Sequence, residues 1–530
     1  MANLLFLGAS VSQVPAIHHA RAAGHRVVAV DGDPDAVGFE IADRCVNVDF
    51  AHIAEVIAAG AVHNVDGVLA VSSDRAVVPA AAVADALGFP GIGIDVARSM
   101  TDKPTMRARL AHAGLPQPRG TLVTADSDLD AVLEGMPLPA VLKPADSGGQ
   151  RGLFYVRARG DLEEHLHETL AFSATSRAML EEFVNGTELN GMLVVRDGVP
   201  TLITLSDRLR PPGAGFGVGW AHIYPSSLPA HVLERAREIA FDAVRVLGLR
   251  DGIAFPQVIA TDDGDVRIVE IAARIAAGQM ADLVRLATGV ELFDVAIAQA
   301  LGEPVPDDLV TPRMERPVAI RFLTAAPGVL PLGTVTSIAG LDDVRSSPGV
   351  LAAGLYFDAG TTITPVQVDA DRRGYVAATA DTVDDALALA DKAAEKLDVR
   401  TLHPVVPAGR KRLLLSGAAA VAAVAAALLL VGFTSALRPR LISDTISATA
   451  GRLQVHYAFN EPVRAELLVH GKPATALTGL SRSGELSWRA RGNAAGSLAI
   501  EGIDPHGRRA VFSVRNPAPA AARERHHGAA

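Results

Sequence analysis

An uncharged run of 25 residues, 413–437, divides the sequence into a long N-terminal part and a short C-terminal part. As a helix at ~1.5 Å per residue, it would measure about 37 Å and exceed the ~30 Å hydrocarbon core of a bilayer. Basic residues flank it, in the segment 410–412 before it and at Arg438 and Arg440 after it. The run predicts a transmembrane helix, with a buried alanine-rich core helix as the alternative.

The charges around this run also predict an orientation. Basic residues are denser before the run than after it, and the first ten residues have neither a basic segment nor an apolar run long enough for a signal peptide. We therefore expect a single-pass protein of the cell membrane, with the N-terminal part in the cytoplasm and the C-terminal part outside.

The overall composition excludes several classes of protein. The chain has 49 Lys+Arg and 59 Asp+Glu, a net charge of -10, so it lacks the basic surface typical of nucleic-acid binding. Its hydrophobic residues (49%) and charged residues (20%) are typical of a folded protein. The single cysteine, Cys45, excludes an intramolecular disulfide and cannot by itself form a thiolate metal cluster, so any oxygen-ligated metal must take its ligands from carboxylates.

The first 99 residues alternate short apolar runs, such as 4–7 and 27–30, with helical stretches. This alternation predicts βαβ units and a Rossmann-like parallel sheet. The first turn, 8–13, lacks the GxGxxG pattern of a dinucleotide site, so we assign no dinucleotide to this region.

A glycine-rich turn follows a predicted strand that ends at Lys143. The turn contains Ser147, Gly148, Gly149 and Gly152. Glycine lets backbone N–H groups approach phosphate oxygens closely, and a lysine adds positive charge. The turn lacks the GK[ST] of a P-loop and no helix follows it, which disfavours a Walker-type site.

Residues on either side of this turn also favour a nucleotide site. A second lysine, Lys103, opens a predicted helix, and Glu181 and Glu188 stand seven residues apart around a turn. One of these carboxylates is available to an adenine amino group and the other to ribose hydroxyls.

Further along the chain, 255–259 and 267–274 predict two antiparallel strands joined by the turn 262–264. This pairing would place Gln257 opposite Glu270, close enough to hold a magnesium ion that bridges phosphates.

The order of these motifs resembles that of the ATP-grasp superfamily, in the branch of biotin carboxylase, carbamoyl phosphate synthetase and especially the L-amino-acid ligases. The resemblance covers about residues 1–403 and implies an enzyme in which ATP phosphorylates a carboxylate and an amine attacks the acyl phosphate. The implied cofactors are ATP and Mg²⁺, with Mn²⁺ as an alternative metal. The implied partners are a small carboxylate, a small amine and, as an alternative to a monomer, a second copy in a homodimer.

The resemblance also implies roles for single residues. The phosphate-binding residues are Lys103, Lys143, Ser147, Gly148, Gly149 and Gly152. The residues that bind adenosine are Glu181, the backbone near Val184, and Glu188. The metal-binding residues are Gln257 and Glu270. The catalytic residues are Lys143 and Arg274, of which Arg274 stabilises the transferring phosphoryl group or the tetrahedral intermediate.

Two positions depart from the pattern of the family. Gln257 stands where the family commonly has a glutamate, and Ala272 where it commonly has an asparagine. An amide still offers an oxygen to a metal, whereas a methyl group offers none. The alternative to an active ligase is therefore a catalytically altered ATP-grasp protein that acts as a membrane sensor of nucleotide or ligand.

A second glycine-rich segment, 213–219, lies between Arg208 and His222. In the ligases that the chain resembles, this region faces the carboxylate substrate, so both residues are candidate substrate contacts. The alternatives are a solvated surface charge for Arg208 and a packed strand histidine for His222.

The resulting fold class is α/β and α+β with several domains. The predicted parts are a Rossmann-like pre-ATP-grasp domain (1–99), an ATP-grasp domain (100–303), a mixed C-terminal lobe like that of the L-amino-acid ligases (304–403), a basic linker (404–412), the transmembrane helix (413–437), a small all-β domain (438–516) and a disordered tail (517–530). In the all-β domain we expect turns at Gly471, Gly484 and Gly507, and an external partner.

Overall fold

The computed structural model of the protein describes residues 1–210 and 217–402, together with six strands between residues 441 and 514. The chain divides into two compact units, Met1–Val406 and Pro407–Ala530.

The first part of the larger unit has a four-stranded parallel sheet. Its elements are β1 (Asn3–Leu7), α1 (Val14–Ala22), β2 (Arg26–Asp31), β3 (Arg44–Asn47), α2 (Ile53–Val62), β4 (Gly67–Ala70), α3 (Val77–Leu87) and α4 (Ile94–Ser99). The strand order is β3-β2-β1-β4, and the central strand β1 is apolar and almost completely buried, as expected for a parallel strand covered on both faces. The parallel sheet predicted for residues 1–99 is confirmed.

A small antiparallel sheet follows. Its elements are α5 (Lys103–His112), β5 (Gly120–Val123), α6 (Leu129–Leu133), β6 (Ala140–Pro144), β7 (Phe154–Val156), α7 (Arg159–Ala171) and β8 (Ala178–Glu182), and the strand order is β5-β8-β6-β7. The side chain of Asp102 accepts a hydrogen bond from the backbone N–H of Thr105 and so caps the start of α5. This cap fixes Lys103 in the first turn of the helix.

An eight-stranded sheet forms the centre of the unit. The strands that follow along the chain are β9 (Thr187–Arg196), β10 (Val199–Leu209), β11 (Ala221–Tyr224), β12 (Gly252–Ala260), β13 (Val266–Ala272), β14 (Val318–Phe322), β15 (Gly333–Ala339), β16 (Val350–Leu355), β17 (Thr362–Ile363), β18 (Gly374–Ala378) and β19 (Asp398–Leu402). The helices are α8 (Ala230–Leu247), α9 (Met280–Thr288), α10 (Leu292–Leu301), α11 (Asp307–Val310), α12 (Leu341–Arg345) and α13 (Val383–Ala394).

The large sheet has the order β13-β12-β9-β10-β11-β14-β18-β16, and β17-β15-β19 form a separate small sheet. The large sheet therefore crosses the boundary predicted at residue 304, because β11 pairs with β14 and places His222 opposite Ile320. At its other edge, β12 and β13 pair antiparallel with Gln257 opposite Glu270, as the sequence predicts.

In the smaller unit, the described residues are all in strands. These are β20 (Leu441–Thr449), β21 (Arg452–Val469), β22 (Lys472–Pro473), β23 (Ser481–Arg489), β24 (Leu498–Ile503) and β25 (Arg509–Val514), all paired antiparallel around β21 and β24. The turn predicted at Gly484 is wrong, because this glycine lies within β23 opposite Tyr457. The predicted turns at Gly471 and Gly507 and the tail 517–530 lie outside the described residues.

The prediction of a single-pass membrane protein requires correction. Across the part of the chain that the structure describes, no helix has the length and apolar character needed to cross a bilayer. The run 413–437, on which that prediction depended, lies outside the described residues, as does the linker 404–412. Nine of the 25 residues in the run are alanine, whose single methyl group contributes less apolar surface than a leucine side chain.

Candidate active site

A cleft of about 900 Å³ lies where the parallel sheet, the small antiparallel sheet and the large sheet meet. Thirteen of the fourteen residues predicted from the sequence line this cleft, and Gly152 does not. Residues from the first domain, such as Asp74, and from the C-terminal lobe, such as Arg372, line it as well. The cleft therefore brings together side chains from nearly the whole length of the larger unit.

One buried charged group beside the cleft is a cluster around Glu181. Lys143 Nζ lies 2.7 Å from Glu181 Oε2, and Arg107 donates to both carboxylate oxygens at 2.9 and 3.1 Å. Burial by itself would raise the pKa of Glu181, but these two cations outweigh it and hold the pKa at about 2. Glu181 is therefore ionised and paired; its predicted contact with an adenine amino group stays a prediction.

The two predicted phosphate lysines have different surroundings. Lys103 Nζ donates to the carbonyl oxygen of Ser147 at 2.9 Å and lies 3.1 Å from Glu270 Oε1. Burial disfavours its charge, but Glu270 and Asp74 reverse that effect and raise the pKa of Lys103. For Lys143, burial is only partly offset by Glu181, and the pKa is lowered. Lys103 thus connects the glycine-rich turn to the predicted metal ligand.

Arg274 is fixed by a carboxylate from the first domain. Its Nε and one terminal nitrogen donate to the two oxygens of Asp74, each at 2.8 Å. The other terminal nitrogen is buried and has no partner among the described residues. Burial opposes ionisation of Asp74, but Arg274 and Lys103 together lower its pKa. This bidentate pair fixes the plane of the guanidinium at the wall of the cleft.

The charges of the ion-paired residues just described do not cancel. The cations are Lys103, Arg107, Lys143 and Arg274, and the carboxylates are Asp74, Glu181 and Glu270. Four positive charges against three negative ones leave one positive charge in a region largely withdrawn from water. We call this group the phosphate-end cluster, because such an excess favours a polyanionic ligand.

The glycine-rich turn between β6 and β7 packs closely against this cluster. A β-carbon at Gly148 would lie 2.4 Å from Asp74 Oδ2, so no other residue can take this place without displacing the carboxylate. Gly152 has φ +67°, and a β-carbon there would lie 2.7 Å from the ring of Phe172. Close packing therefore requires glycine at positions 148 and 152, in addition to any contact with phosphate.

The donor set at the predicted metal site is small. Glu270 contributes one carboxylate, already near Lys103, and the Gln257 side-chain nitrogen donates to Asn190 Oδ1 at 3.4 Å. Within the described residues, no group of three or more His, Cys, Asp or Glu side chains is placed to hold a metal ion. One carboxylate and one amide oxygen suit Mg²⁺, which commonly takes its remaining ligands from substrate phosphates and water.

A second charged group lines the same cleft and shares no residue with the first; we call it the acceptor-end cluster, because the sequence predicts substrate contacts there. Arg208 is 4% exposed and bridges Glu188 (3.0 Å) and Asp369 (3.2 Å). Arg210 also pairs with Glu188 at 2.6 Å, and Arg372 lies 3.3 Å from Asp369. Because Arg208 is buried and paired twice, it is not a solvated surface charge.

His222 lies beside this cluster, opposite Arg208 in the pairing of β10 and β11. Its Nδ1 lies 3.3 Å from the amide nitrogen of Asn190, which can only donate, so Nδ1 accepts and the proton is on Nε2. Burial, together with Arg208 and Arg372, lowers the pKa of His222 from 6.5 to about 3. His222 is therefore a neutral donor at physiological pH.

Among the charged residues that the sequence did not identify are Arg107, Asp74, Asp369 and Arg372. Arg107 is four residues after Lys103 on the same helix face, and Asp74 follows β4 at the carboxyl edge of a parallel sheet, where ligands commonly bind. Both residues could therefore have been predicted from the sequence as candidate site residues. Asp369 and Arg372 lie in and after a single 3₁₀ turn, Asp369–Asp371, and no local pattern distinguishes them.

Comparison with known proteins places this arrangement in a family. Residues 102–307 match the ATP-binding domain of the carbamoyl-phosphate synthase L chain, and residues 321–402 match the L-amino acid ligase C-terminal domain 2. The chain is 30% identical over 233 residues to a D-alanine--D-alanine ligase of Desulforudis audaxviator, covering 42% of this chain and 71% of that protein. It is also 30% identical over 318 residues to the uncharacterized protein y4rH of Sinorhizobium fredii, covering 58% of this chain and 63% of that protein.

Among solved structures, the L-amino acid ligase from Bacillus licheniformis has a similar fold, with a TM-score of 0.65 at 19% identity over 76% of this chain and 99% of that one. The sequence matches place the chain among the ATP-dependent ligases. The chain belongs to the ATP-grasp superfamily, among its carboxylate–amine ligases. Enzymes of this superfamily generally use ATP with a divalent metal ion.

Proposed function

We propose that this chain uses ATP to activate a carboxylate as an acyl phosphate and then joins the acyl group to an amine. The observation that carries the proposal is the phosphate-end cluster, whose buried cations exceed its carboxylates by one beside a glycine-rich turn. The relatives named as D-alanine--D-alanine ligase and L-amino acid ligase support amino acids as the substrates.

The reaction has two steps. A carboxylate oxygen attacks the γ-phosphorus of ATP, the bond to the β,γ-bridging oxygen breaks, and ADP leaves with that oxygen. The deprotonated amine then attacks the carbonyl carbon of the acyl phosphate and inorganic phosphate leaves with the former carboxylate oxygen. The products are an amide, ADP, phosphate and the protons released by the amine.

In this proposal the protein contributes positioning and positive charge, with no covalent nucleophile. Lys103 and Lys143 bind the phosphates of ATP, and Ser147, Gly148 and Gly149 cover them. Arg274, oriented by Asp74, stabilises the negative charge that develops on the transferring group. Val184 and Glu188 are assigned to the adenosine, although Glu188 already pairs with Arg208 and Arg210.

Gln257 and Glu270 would hold the divalent metal, which supplies charge neutralisation on the phosphates when it is bound. Gln257 is neutral and Ala272 has no donor atom, so Glu270 contributes the one negative charge of this pair. We expect Mg²⁺ to bind chiefly together with ATP, because the phosphates complete its ligand set.

The direct test is ADP release by the full chain with Mg²⁺ and ATP, measured against amino acids and small carboxylates singly and in pairs. Release that requires a pair, with the amide product identified by mass spectrometry, is the expected result. ADP release that is the same with and without every added acid would contradict the proposal.

A second function, nucleotide or ligand sensing without turnover, is favoured by one observation. Ala272 is buried opposite Phe255 and contributes no metal ligand on the strand that carries Glu270. This function predicts saturable ATP binding in calorimetry with no acid-dependent ADP release. Turnover that depends on a carboxylic acid would rule it out.

A further inference from the structure

A second cavity, of about 870 Å³, lies apart from the cleft that holds the candidate active site. Its walls come from β4 and α3 of the first domain, from α10, from the turn between β9 and β10, and from the start of β12. This volume is within the range of sites that hold small molecules. Among the described residues, Arg274 and Ile275 alone line both cavities. The second cavity is therefore a separate space that meets the cleft at Arg274.

One wall of this cavity is built from small apolar side chains. Four residues of α3 line it at helical spacing, and two more line it from α10: Val77, Ala80, Ala81, Ala84, Ala296 and Ala300. Alanine at these positions leaves open the space that a longer side chain would fill. The cavity therefore has room for an apolar group such as an aromatic ring.

The exposed part of the lining carries negative charge. Asp197 in the turn between β9 and β10, Asp251 before β12 and Glu303 after α10 all line the cavity and are exposed. The backbone N–H of Asp197 donates to Asp251 Oδ1 at 2.9 Å, which holds the first two residues together. We call these three side chains the rim carboxylates.

The two arginines that line the cavity do not neutralise the rim carboxylates. Arg196 lies 2.8 Å from Asp307, and Arg274 lies 2.8 Å from Asp74. The rim carboxylates themselves form no ion pair with a residue that the structure describes, so three negative charges border a cavity with apolar walls. That combination favours a ligand with a positive charge and an apolar body.

The cavity also borders the segment that fixes Arg274. Ile275 pairs with Val71 in an isolated parallel bridge, and its carbonyl oxygen accepts a hydrogen bond from the backbone N–H of Ser72 at 3.0 Å. Asp74, two residues further along, holds Arg274 through two hydrogen bonds of 2.8 Å. A ligand in contact with Arg274 and Ile275 therefore acts on a guanidinium that stabilises the transferring group in the proposed reaction.

We propose that this cavity is an effector site for a small organic cation with an apolar body, and that its occupancy lowers turnover through Arg274. The cationic group lies at the rim carboxylates, and the apolar body lies against α3. Binding at this site is independent of the proposed ligase function, whereas the effect on turnover rests on it.

The probe is the phenethyltrimethylammonium ion, whose quaternary nitrogen has neither a proton nor a lone pair and so cannot serve as the amine of the ligase reaction. Calorimetric titration into the full chain compares it with 2-phenylethanol, which keeps the ring and lacks the charge. The cation should bind saturably and about tenfold more tightly than the alcohol, because exposed ion pairs are individually weak and three carboxylates act together.

Two variants test the location of this binding. Asp197→Asn/Glu303→Gln removes two of the rim charges, at one position whose left-handed backbone (φ +51°) suits asparagine, and should reduce the preference for the cation to about threefold or less. Ala80→Leu fills part of the cavity and should weaken binding of both compounds by about tenfold or more. The control Glu164→Gln/Glu168→Gln, at exposed carboxylates of α7, should keep the wild-type affinities.

Three results of the titrations would overturn the inference. These are no saturable binding of the cation, equal binding of the cation and the alcohol, and a preference that survives unchanged in Asp197→Asn/Glu303→Gln.

ADP release at a saturating concentration of the cation tests the effect on turnover. In the wild type kcat should fall about fivefold or more with little change in the KM for ATP, because a displaced Arg274 loses its position at the transferring group. In Ala80→Leu the same concentration of the cation should not change kcat. An unchanged wild-type kcat with the cation bound would overturn the effect on turnover. Absence of turnover without the cation would instead contradict the proposed ligase function, and the titrations would still decide the site.

Discussion

The two ends of the cleft both carry an excess of one positive charge, but they are built differently. The phosphate-end cluster has two lysines and two arginines, and all its members except Asp74 lie within residues 102–307, the range that matches one family model. The acceptor-end cluster has only arginines as cations, and Asp369 and Arg372 come from residues 321–402, which match another model.

This difference is chemically informative. A lysine ammonium is a compact charge that can follow a phosphate as it moves between groups, whereas an arginine fork has a fixed plane that suits a carboxylate that stays unchanged. In the function that we propose, the phosphate end serves the phosphoryl group that is transferred. Substitutions at the two ends should accordingly change different measured quantities.

The largest expected effect is that of Lys143→Met at the phosphate end. Removal of a buried charge that faces developing negative charge should lower turnover by roughly 10²- to 10³-fold. Initial rates of ADP release measure this. Lys392→Met, at an exposed lysine of α13, is the matched control and should keep the wild-type rate. An unchanged rate in Lys143→Met would show that this lysine is not part of the site.

The next effect concerns stability. Arg107→Met leaves Glu181 buried with only Lys143 as its partner, and should lower the free energy of unfolding by about 3 kcal/mol. Arg109→Met, two residues further along the same helix, removes an arginine that is 36% exposed and pairs loosely with Asp95 at 3.5 Å. This control should change stability by less than about 0.5 kcal/mol. Urea unfolding measures the free energy of unfolding of both variants. Equal losses of stability would contradict a buried, ion-paired cluster around Glu181.

The smallest effect tests the neutral histidine of the acceptor end. The pKa of His222 is about 3 in the fold and 6.5 when unperturbed, so the unfolded chain binds the extra proton between these values. Stability from this residue is complete above pH 6.5 and is lost as the pH falls. Between pH 6.5 and 4.5 the wild type should lose about 2 kcal/mol more than His222→Asn.

His167→Asn, at an exposed histidine of α7, should leave the pH dependence of unfolding as it is in the wild type. Chemical unfolding at each pH measures these slopes. Equal slopes for the wild type and His222→Asn would mean that folding does not lower the pKa of His222.

The sequence allowed much of the phosphate end to be predicted because its signals are local. Lys143 ends a strand before a glycine-rich turn, and Gln257 and Glu270 face each other because a short hairpin turn fixes their register. The weakest predictions from the sequence were those that concerned long-range features or depended on composition. The 413–437 run was interpreted by length, and Gly484 was assigned to a turn although glycine also occurs within strands.

The pairing of charges could not be predicted in the same way. Asp74 and Arg274 are 200 residues apart, and Arg208 and Asp369 are 161 residues apart. Nothing in the local sequence of either partner specifies the other. Their meeting depends on the order of strands in the sheets, and in particular on β11 pairing with β14 across the predicted domain boundary.

The sequence by itself determined the superfamily, the parallel sheet of the first domain and thirteen of the residues that line the cleft, because strand periodicity, turn glycines and motif order are local properties of a chain. Only the tertiary structure decided which charges neutralise each other, that Glu181 is ionised beneath Lys143, and that His222 and Arg372 meet above Gly278. Those outcomes depend on burial and on distances between atoms that are far apart in sequence, and sheet topology sets both.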